Sequence, residues 1–105
     1  MERYFWKGKI KKGSQDEYIK RHNNLWPEMK KALKEAGICN YSIYMSNNEV
    51  YGYYECEKGI EFAIKSQNNN PIVQKWEQHM KDILVFENKD SNEAQPKIAE
   101  VFHLD

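Results

Sequence analysis

The chain has 105 residues, of which 40% are hydrophobic and 30% are charged, and this balance is typical of one globular domain. Sixteen basic and sixteen acidic residues cancel, which argues against a general nucleic-acid or membrane-surface binder. No stretch approaches the roughly 18 apolar residues of a membrane-spanning helix, and the amino-terminal sequence has no secretory pattern. We therefore expect a single cytoplasmic domain, residues 1–105, with no nucleic-acid or membrane partner.

Cysteine and histidine usage bears on cofactors. Cys39 and Cys56 are too few for a disulfide framework, and in the cytoplasm we expect both thiols to be reduced. The histidines, His22, His79 and His103, lie far apart without the spacing of metal ligands. The chain also has no phosphate-binding glycine run and no catalytic motif of the common hydrolases. The sequence predicts no metal ion and no other cofactor.

The first part of the chain predicts a strand and then a helix. Polar and apolar residues alternate over residues 3–11, which indicates a half-buried strand. Ser14 and Glu17 have the spacing of a capping box and predict the start of a helix. Pro27 falls inside the helical pattern, so we expect a kink or a restart near Trp26. The inward face of this helical region contains residues spaced by three or four, namely Tyr18, His22, Leu25, Met29 and Leu33.

Two strands, residues 38–45 and 50–55, are predicted next, joined by a tight turn of two asparagines. A two-residue turn fixes the pairing between them. This register places Cys39 opposite Cys56, and it places Tyr41 on the same face of the sheet. The opposite face of the hairpin contains further tyrosines.

The last part of the chain predicts two helices and a final strand. Residues 58–66 indicate a short helix, and Asn70 followed by proline is typical of the start of another. Residues 87–96 are polar, and we expect a loop there. Residues 97–104 are apolar at both odd and even positions, which predicts a strand buried on both faces, either central in the sheet or in a subunit contact.

The predicted order of elements is β-α-β-β-α-β, which is the ferredoxin-like arrangement of the α+β class. In this arrangement one antiparallel sheet has its helices on one face. The tyrosines on the opposite face of the hairpin from Tyr41 then lie on the helix-free face of the sheet. An exposed patch with so many aromatic rings usually contacts a partner protein. We therefore expect a homodimer of the dimeric α/β-barrel type, joined through this face or through strand edges.

Several aromatic residues and one histidine converge on the inward side of the sheet. His22 lies one turn after Tyr18 and points toward the sheet face with Tyr41 and Tyr54. A partly buried histidine can titrate near neutrality, where proton transfer is most effective. Composition alone favours a satisfied core histidine, and Trp76 alone is more typical of a core residue. Flat rings with polar tips are also what a sugar-binding pocket requires.

The sequence resembles a known family at several points. Residues 18–28, YIKRHNNLWPE, resemble the Y-x-x-R-H-N-x-x-W-P-E helix of the L-rhamnose mutarotases. Further segments are similar to the same family, and together they cover almost the whole chain. They are residues 40–44, Trp76 with His79 and Met80, and residues 100–104.

The resemblance implies a cofactor-free, ferredoxin-like, cytoplasmic dimer that interconverts the α and β anomers of L-rhamnose. It also implies that His22 is the proton donor and that Tyr18, Tyr41 and Trp76 contact the sugar. The family often has a second tryptophan where this chain has Glu77. We do not transfer the sugar-binding role of that tryptophan to Glu77. The expected substrate is therefore L-rhamnose or a related 6-deoxy sugar such as L-fucose.

Two other functions remain possible from the sequence. One is a dimeric ferredoxin-like monooxygenase, either cofactor-independent or linked to haem, since such folds also surround a cavity with histidine and tryptophan. A haem protein is coloured, so a visible absorption spectrum distinguishes a haem-linked monooxygenase from a mutarotase. The other is a small-molecule-binding module with the same pocket and no turnover.

Overall fold

The computed structural model describes residues 1–86 and 97–105. The predicted loop at 87–96 lies outside the described residues. The elements are β1 Glu2–Ile10, α1 Gln15–Asn23, α2 Pro27–Glu35, β2 Ile38–Ser46, β3 Glu49–Cys56, α3 Ile60–Asn68, α4 Pro71–Met80 and β4 Leu84–Val85. Among the described helices, none has the length and apolar character needed to cross a membrane.

The strands form one antiparallel sheet in the order β2-β3-β1-β4. This is the strand order of a ferredoxin-like fold, so the predicted α+β class is confirmed. Along β1, buried residues alternate with exposed ones, because the helices cover only one face of the sheet. The core lies between that face and the helices. Its largest fully buried side chains are Trp6, Tyr4 and Tyr54, and the Tyr4 and Tyr54 rings stack with centroids 5.0 Å apart.

The first helical region divides where proline requires it. Helix α1 ends at Asn23, and α2 begins at Pro27, whose missing N–H has no helical partner at this position anyway. The predicted restart is therefore confirmed. The predicted capping box is wrong, because the Ser14 side chain makes no capping hydrogen bond. Glu17 instead accepts a hydrogen bond from Arg21 Nε at 2.7 Å.

The second helical region follows the prediction closely. Helix α3 begins and ends two residues later than the predicted range of 58–66. The Asn70 side chain accepts a hydrogen bond from the Ile72 amide at 2.9 Å and caps α4 as expected.

The hairpin of β2 and β3 has the predicted turn but not the predicted register throughout. Met45 pairs with Val50 as expected, and the register then shifts between Cys39 and Ser42. Asn40 lies in this irregularity with a φ of 50°, which inserts a bulge. The predicted pair of thiols is therefore wrong: Cys39 lies opposite Glu55, and both cysteines are free.

The predicted final strand is also wrong. After a single bridge between Lys97 and Trp6, the segment 97–105 runs on without a ladder, and its side chains are exposed. The Ile98 amide donates to the Phe5 carbonyl at 2.7 Å. The fourth strand of the sheet is the two-residue β4, which pairs with the end of β1. Among the described residues, no strand pairs with the edge of segment 97–105 that faces away from β1.

Candidate active site

A cavity lies between the sheet and the helices, with residues of α1, α2 and α4 in its wall. It consists of two adjoining pockets of about 440 and 360 Å³. The residues that line both pockets mark their junction. They are Tyr18, His22, Tyr41, Ile43, Trp76 and Glu77. The structure therefore brings together all four residues that the sequence analysis selected.

His22 is held in a defined orientation at this junction. Its Nδ1 lies 3.0 Å from the Tyr18 backbone carbonyl. Because a carbonyl only accepts, Nδ1 bears the hydrogen, and Nε2 remains available for a ligand. The imidazole stacks on the Tyr18 ring with centroids 4.3 Å apart and meets Trp76 edge-on at 5.4 Å.

The surroundings of His22 also set its charge. Burial lowers the pKa of His22 below the usual value of 6.5, and the hydrogen bond to the Tyr18 carbonyl opposes this effect only in part. At neutral pH the imidazole is therefore neutral, with a basic nitrogen at Nε2. Such a group can accept a proton and then return it.

Tyr41 is oriented by a tryptophan that the sequence analysis did not select. Trp6 Nε1 donates a hydrogen bond to the Tyr41 hydroxyl oxygen at 3.1 Å. An indole nitrogen can only donate, so the phenolic hydrogen of Tyr41 is free to bond a ligand. Burial raises the pKa of both Tyr18 and Tyr41, which keeps both hydroxyls protonated.

The position of Trp6 depends on a glycine in the neighbouring strand. Gly52 pairs with Trp6 across β1 and β3. A Cβ atom at Gly52 would lie 2.1 Å from Trp6 Cε2 and Nε1, a distance that no pair of such atoms tolerates. The indole thus lies flat across a site where only glycine fits. A glycine inside a strand pattern marks a close approach of another group, so Gly52 is the sequence signal that could have indicated Trp6.

Arg21 joins α1 to the end of α4, two of the helices that line the cavity. Its guanidinium binds Asp82 through two parallel contacts of 2.9 and 3.1 Å and donates to the His79 carbonyl at 2.7 Å. Glu17 accepts a hydrogen bond from Nε of the same guanidinium. These contacts tie α1 to the end of α4 and so fix His22 relative to the other side of the cavity.

The other two histidines, His79 and His103, have different neighbours. His79 lies beside Trp76 with ring centroids 5.6 Å apart, and His103 contacts Asp105 near the end of the chain. Within residues 1–86 and 97–105, no group of three or more potential metal ligands occurs.

A ferredoxin-like fold with a neutral histidine in an aromatic cavity is suited to acid–base chemistry on a small polar molecule. Comparison with known proteins makes the class specific. A family model for L-rhamnose mutarotase matches residues 3–104. This chain belongs to the L-rhamnose mutarotase family, whose members are isomerases that interconvert sugar anomers.

Individual relatives agree with this assignment. An L-rhamnose mutarotase from Phocaeicola vulgatus is 39% identical, with full coverage of both chains (100% each). Another from Flavobacterium johnsoniae is 37% identical over 92% of this chain and 90% of that protein. A crystal structure of the L-rhamnose mutarotase from Formosa agariphila superposes with a TM-score of 0.80 at 32% identity, covering 100% of each chain. The comparisons support neither a monooxygenase nor a binding module.

Proposed function

We propose that this protein interconverts the α and β anomers of L-rhamnose. The observation that carries the proposal is the oriented, neutral His22 at the junction of the aromatic cavity. Membership of the L-rhamnose mutarotase family supports the choice of sugar. In this proposal residues 1–105 act as one domain.

The reaction needs one proton to move between two oxygen atoms of the sugar. His22 Nε2 accepts the proton of the anomeric hydroxyl and delivers a proton to the ring oxygen, so that the C1–O5 bond breaks and the aldehyde forms. The C1–C2 bond then rotates. The reverse transfer closes the ring on the other face, and His22 ends as it began. Both oxygens are bonded to C1 in the ring form, so a single acid–base group can serve both.

Tyr18 and Tyr41 are proposed to bind the sugar hydroxyls. The Tyr41 hydrogen is free because its oxygen accepts from Trp6. Tyr18 is only 3% exposed, and no residue in the described part of the chain hydrogen bonds to its hydroxyl. A buried hydroxyl without a partner is costly, and a sugar hydroxyl would satisfy it.

Trp76 is proposed to cover an apolar face of the pyranose, as aromatic rings do in sugar sites. Its neighbour Glu77 lines both pockets and offers a carboxylate where the family often has a second aromatic ring. A carboxylate accepts hydrogen bonds from hydroxyls, whereas a ring stacks. Preference between L-rhamnose and another 6-deoxy sugar such as L-fucose therefore depends on this corner of the cavity.

The test is NMR exchange between anomeric proton signals with catalytic amounts of protein. The panel is L-rhamnose, L-fucose, L-mannose and D-glucose. We expect faster exchange of L-rhamnose than in protein-free buffer, and loss of the acceleration with His22→Ala. Faster exchange of L-fucose alone would support the proposed reaction and identify L-fucose, not L-rhamnose, as the substrate. Absence of acceleration with every sugar would contradict the proposal.

The proposal includes a cytoplasmic homodimer. The free thiols of Cys39 and Cys56 are consistent with a reducing compartment. Val101, Phe102 and Leu104 are 94%, 78% and 79% exposed, and such apolar side chains in one short segment are typical of a protein interface. A second copy of the chain that packs against this segment would bury them.

A further inference from the structure

The larger pocket contains a buried amide that the mechanism above does not use. Gln67 of α3 is 2% exposed and lines this pocket. Its Nε2 donates to the Ala63 carbonyl at 3.1 Å and lies 3.4 Å from the Tyr54 hydroxyl. Among the described residues, Gln67 is the one buried side chain that bears an amide or a charged group.

The hydrogen bond to Ala63 determines which way the amide faces. A backbone carbonyl has no hydrogen to donate, so the atom that contacts it must be Nε2 and not Oε1. Within residues 1–86 and 97–105, no donor makes a hydrogen bond to Gln67 Oε1. A buried carbonyl oxygen without a donor is unfavourable, because it has lost its water and gained nothing.

No side chain that lines the pocket donates a hydrogen bond to Oε1 in this structure. Most of the lining side chains are apolar, namely Leu25, Met29, Leu33, Ile43, Met45 and Val73. A molecule that occupies the pocket can therefore supply the donor that Oε1 lacks. Gln67 lines only the larger pocket and is absent from the junction that contains His22. The group that it meets is thus displaced from the anomeric centre.

We propose that Gln67 Oε1 accepts a hydrogen bond from one non-anomeric hydroxyl of the bound monosaccharide, and that Gln67 is a specificity-determining residue for that hydroxyl. The inference rests on the proposed function, since it assigns a further contact in the same cavity. The contact is made in the ground state and the transition state alike, so it contributes to KM more than to kcat.

The test compares the wild-type protein with Gln67→Met, which keeps the length of the side chain and removes the acceptor. With L-rhamnose we expect KM to rise about 3- to 10-fold, the effect of one neutral hydrogen bond, while kcat changes little. The same comparison is then made with the 2-, 3- and 4-deoxy analogues. For one of them, the one that lacks the recognised hydroxyl, wild type and Gln67→Met have equal KM values.

Tyr54→Phe is the matched control, because it removes the partner of Nε2 and leaves Oε1 in place. We expect this variant to keep the wild-type KM. If it reproduces the effect of Gln67→Met, Gln67 acts only by positioning Tyr54 and the inference is overturned. An equal loss of affinity for all three deoxy analogues overturns it as well.

A second measurement uses only the wild-type protein and does not depend on how the variants fold. The side-chain amide signals of Gln67 are expected to shift when L-rhamnose is added, and not with the one deoxy analogue. Shifts that are the same for every analogue overturn the inference while the exchange activity stands. If the wild type exchanges no sugar at all, the proposed function itself fails.

Discussion

His22 shows how one environment sets both the orientation and the charge of the group that we propose as the acid–base catalyst. The Tyr18 carbonyl commits Nδ1 to donation, and burial lowers the pKa so that Nε2 is unprotonated at neutral pH. A surface histidine would have neither property. The same residue at the same position in the sequence would then be a poorer acid–base catalyst.

The pH dependence of exchange tests this description of His22. Protonation removes the free base, so the enzymatic rate is expected to fall as the pH falls, with an inflection below the usual histidine value of 6.5. The measurement is NMR exchange from pH 4 to 8, with the protein-free rate subtracted at each pH. His22→Gln is expected to lose about 10²- to 10⁴-fold and to show no such inflection. An unchanged profile in this variant would exclude His22 as the titrating group.

Gly52 is expected to be intolerant of even one methyl group. Gly52→Ala forces the Trp6 indole from its place and thereby removes its hydrogen bond to Tyr41. We expect a loss of about 1 to 3 kcal/mol in the free energy of unfolding, measured by thermal or urea denaturation, together with a higher KM. Trp6→Phe in the same chain should recover part of the stability, because a smaller ring leaves room for the methyl group. Full stability of Gly52→Ala alone would refute the close contact.

Individual residues differed in how far the sequence revealed them. Tyr18 and His22 share a helical face, so their convergence with Tyr41 followed from periodicity. Gln67 gave little signal, because it stands in a polar stretch that is typical of an exposed helix end. Only its position four residues after the small, buried Ala63 marks it as inward-facing. Burial of a polar residue depends on what packs above it, and a single sequence does not contain that information.

At the scale of elements, the cavity depends on the attachment of α1 to the end of α4. Arg21 supplies that attachment through a bidentate contact with Asp82 and a bond to the His79 carbonyl. Planar, two-point binding is a property of arginine that lysine does not share. A change here should therefore alter the site without removing any group that contacts the sugar.

Arg21→Lys is expected to lower the Tm by a few degrees and to reduce kcat/KM, because His22 is less firmly placed relative to Trp76. Differential scanning calorimetry and NMR exchange measure the two effects. Lys31→Ala, a change at an exposed position on α2, is the matched control and should leave both unchanged. A normal kcat/KM in Arg21→Lys would mean that the cavity is held together by packing alone.

The elements that the sequence predicted correctly are those with a local cause. Pro27 enforces a new helix start, and the Asn70 side chain caps α4 wherever the chain goes next. The errors have non-local or single-residue causes. The bulge at Asn40 requires one backbone angle to become positive, which the alternation of polar and apolar residues does not reveal. β4 has two residues, too few for any pattern.

At the scale of the whole molecule, the segment 97–105 contains the most exposed apolar side chains among the described residues. It contacts β1 through the bridge between Lys97 and Trp6, to which the Ile98–Phe5 hydrogen bond belongs, and through an ion pair between Arg3 and Glu100 at 2.7 Å. Its apolar pattern predicted burial on both faces, yet the described chain covers neither fully. A second copy of the chain is the partner that we propose.

Replacement of Val101 and Phe102 by glutamate is expected to convert a dimer into a monomer. Two charges in a buried apolar contact cost far more than the hydrophobic contribution that they replace. Sedimentation velocity over a range of protein concentrations measures the effect. Lys11→Glu, an exposed charge change in the loop after β1, is the control and should leave the mass unchanged. A wild-type chain that sediments as a monomer at every concentration would contradict the proposed homodimer.

The placement of the tryptophans has a practical consequence. The sequence contains three, and two of them, Trp6 and Trp76, line the cavity. The third, Trp26, packs edge-on against Trp76 with ring centroids 5.1 Å apart. Every indole of the chain is therefore at the site or in contact with it, and no distant one contributes a constant background. We therefore expect the intrinsic ultraviolet emission of the unlabelled protein to change when a sugar occupies the cavity as proposed.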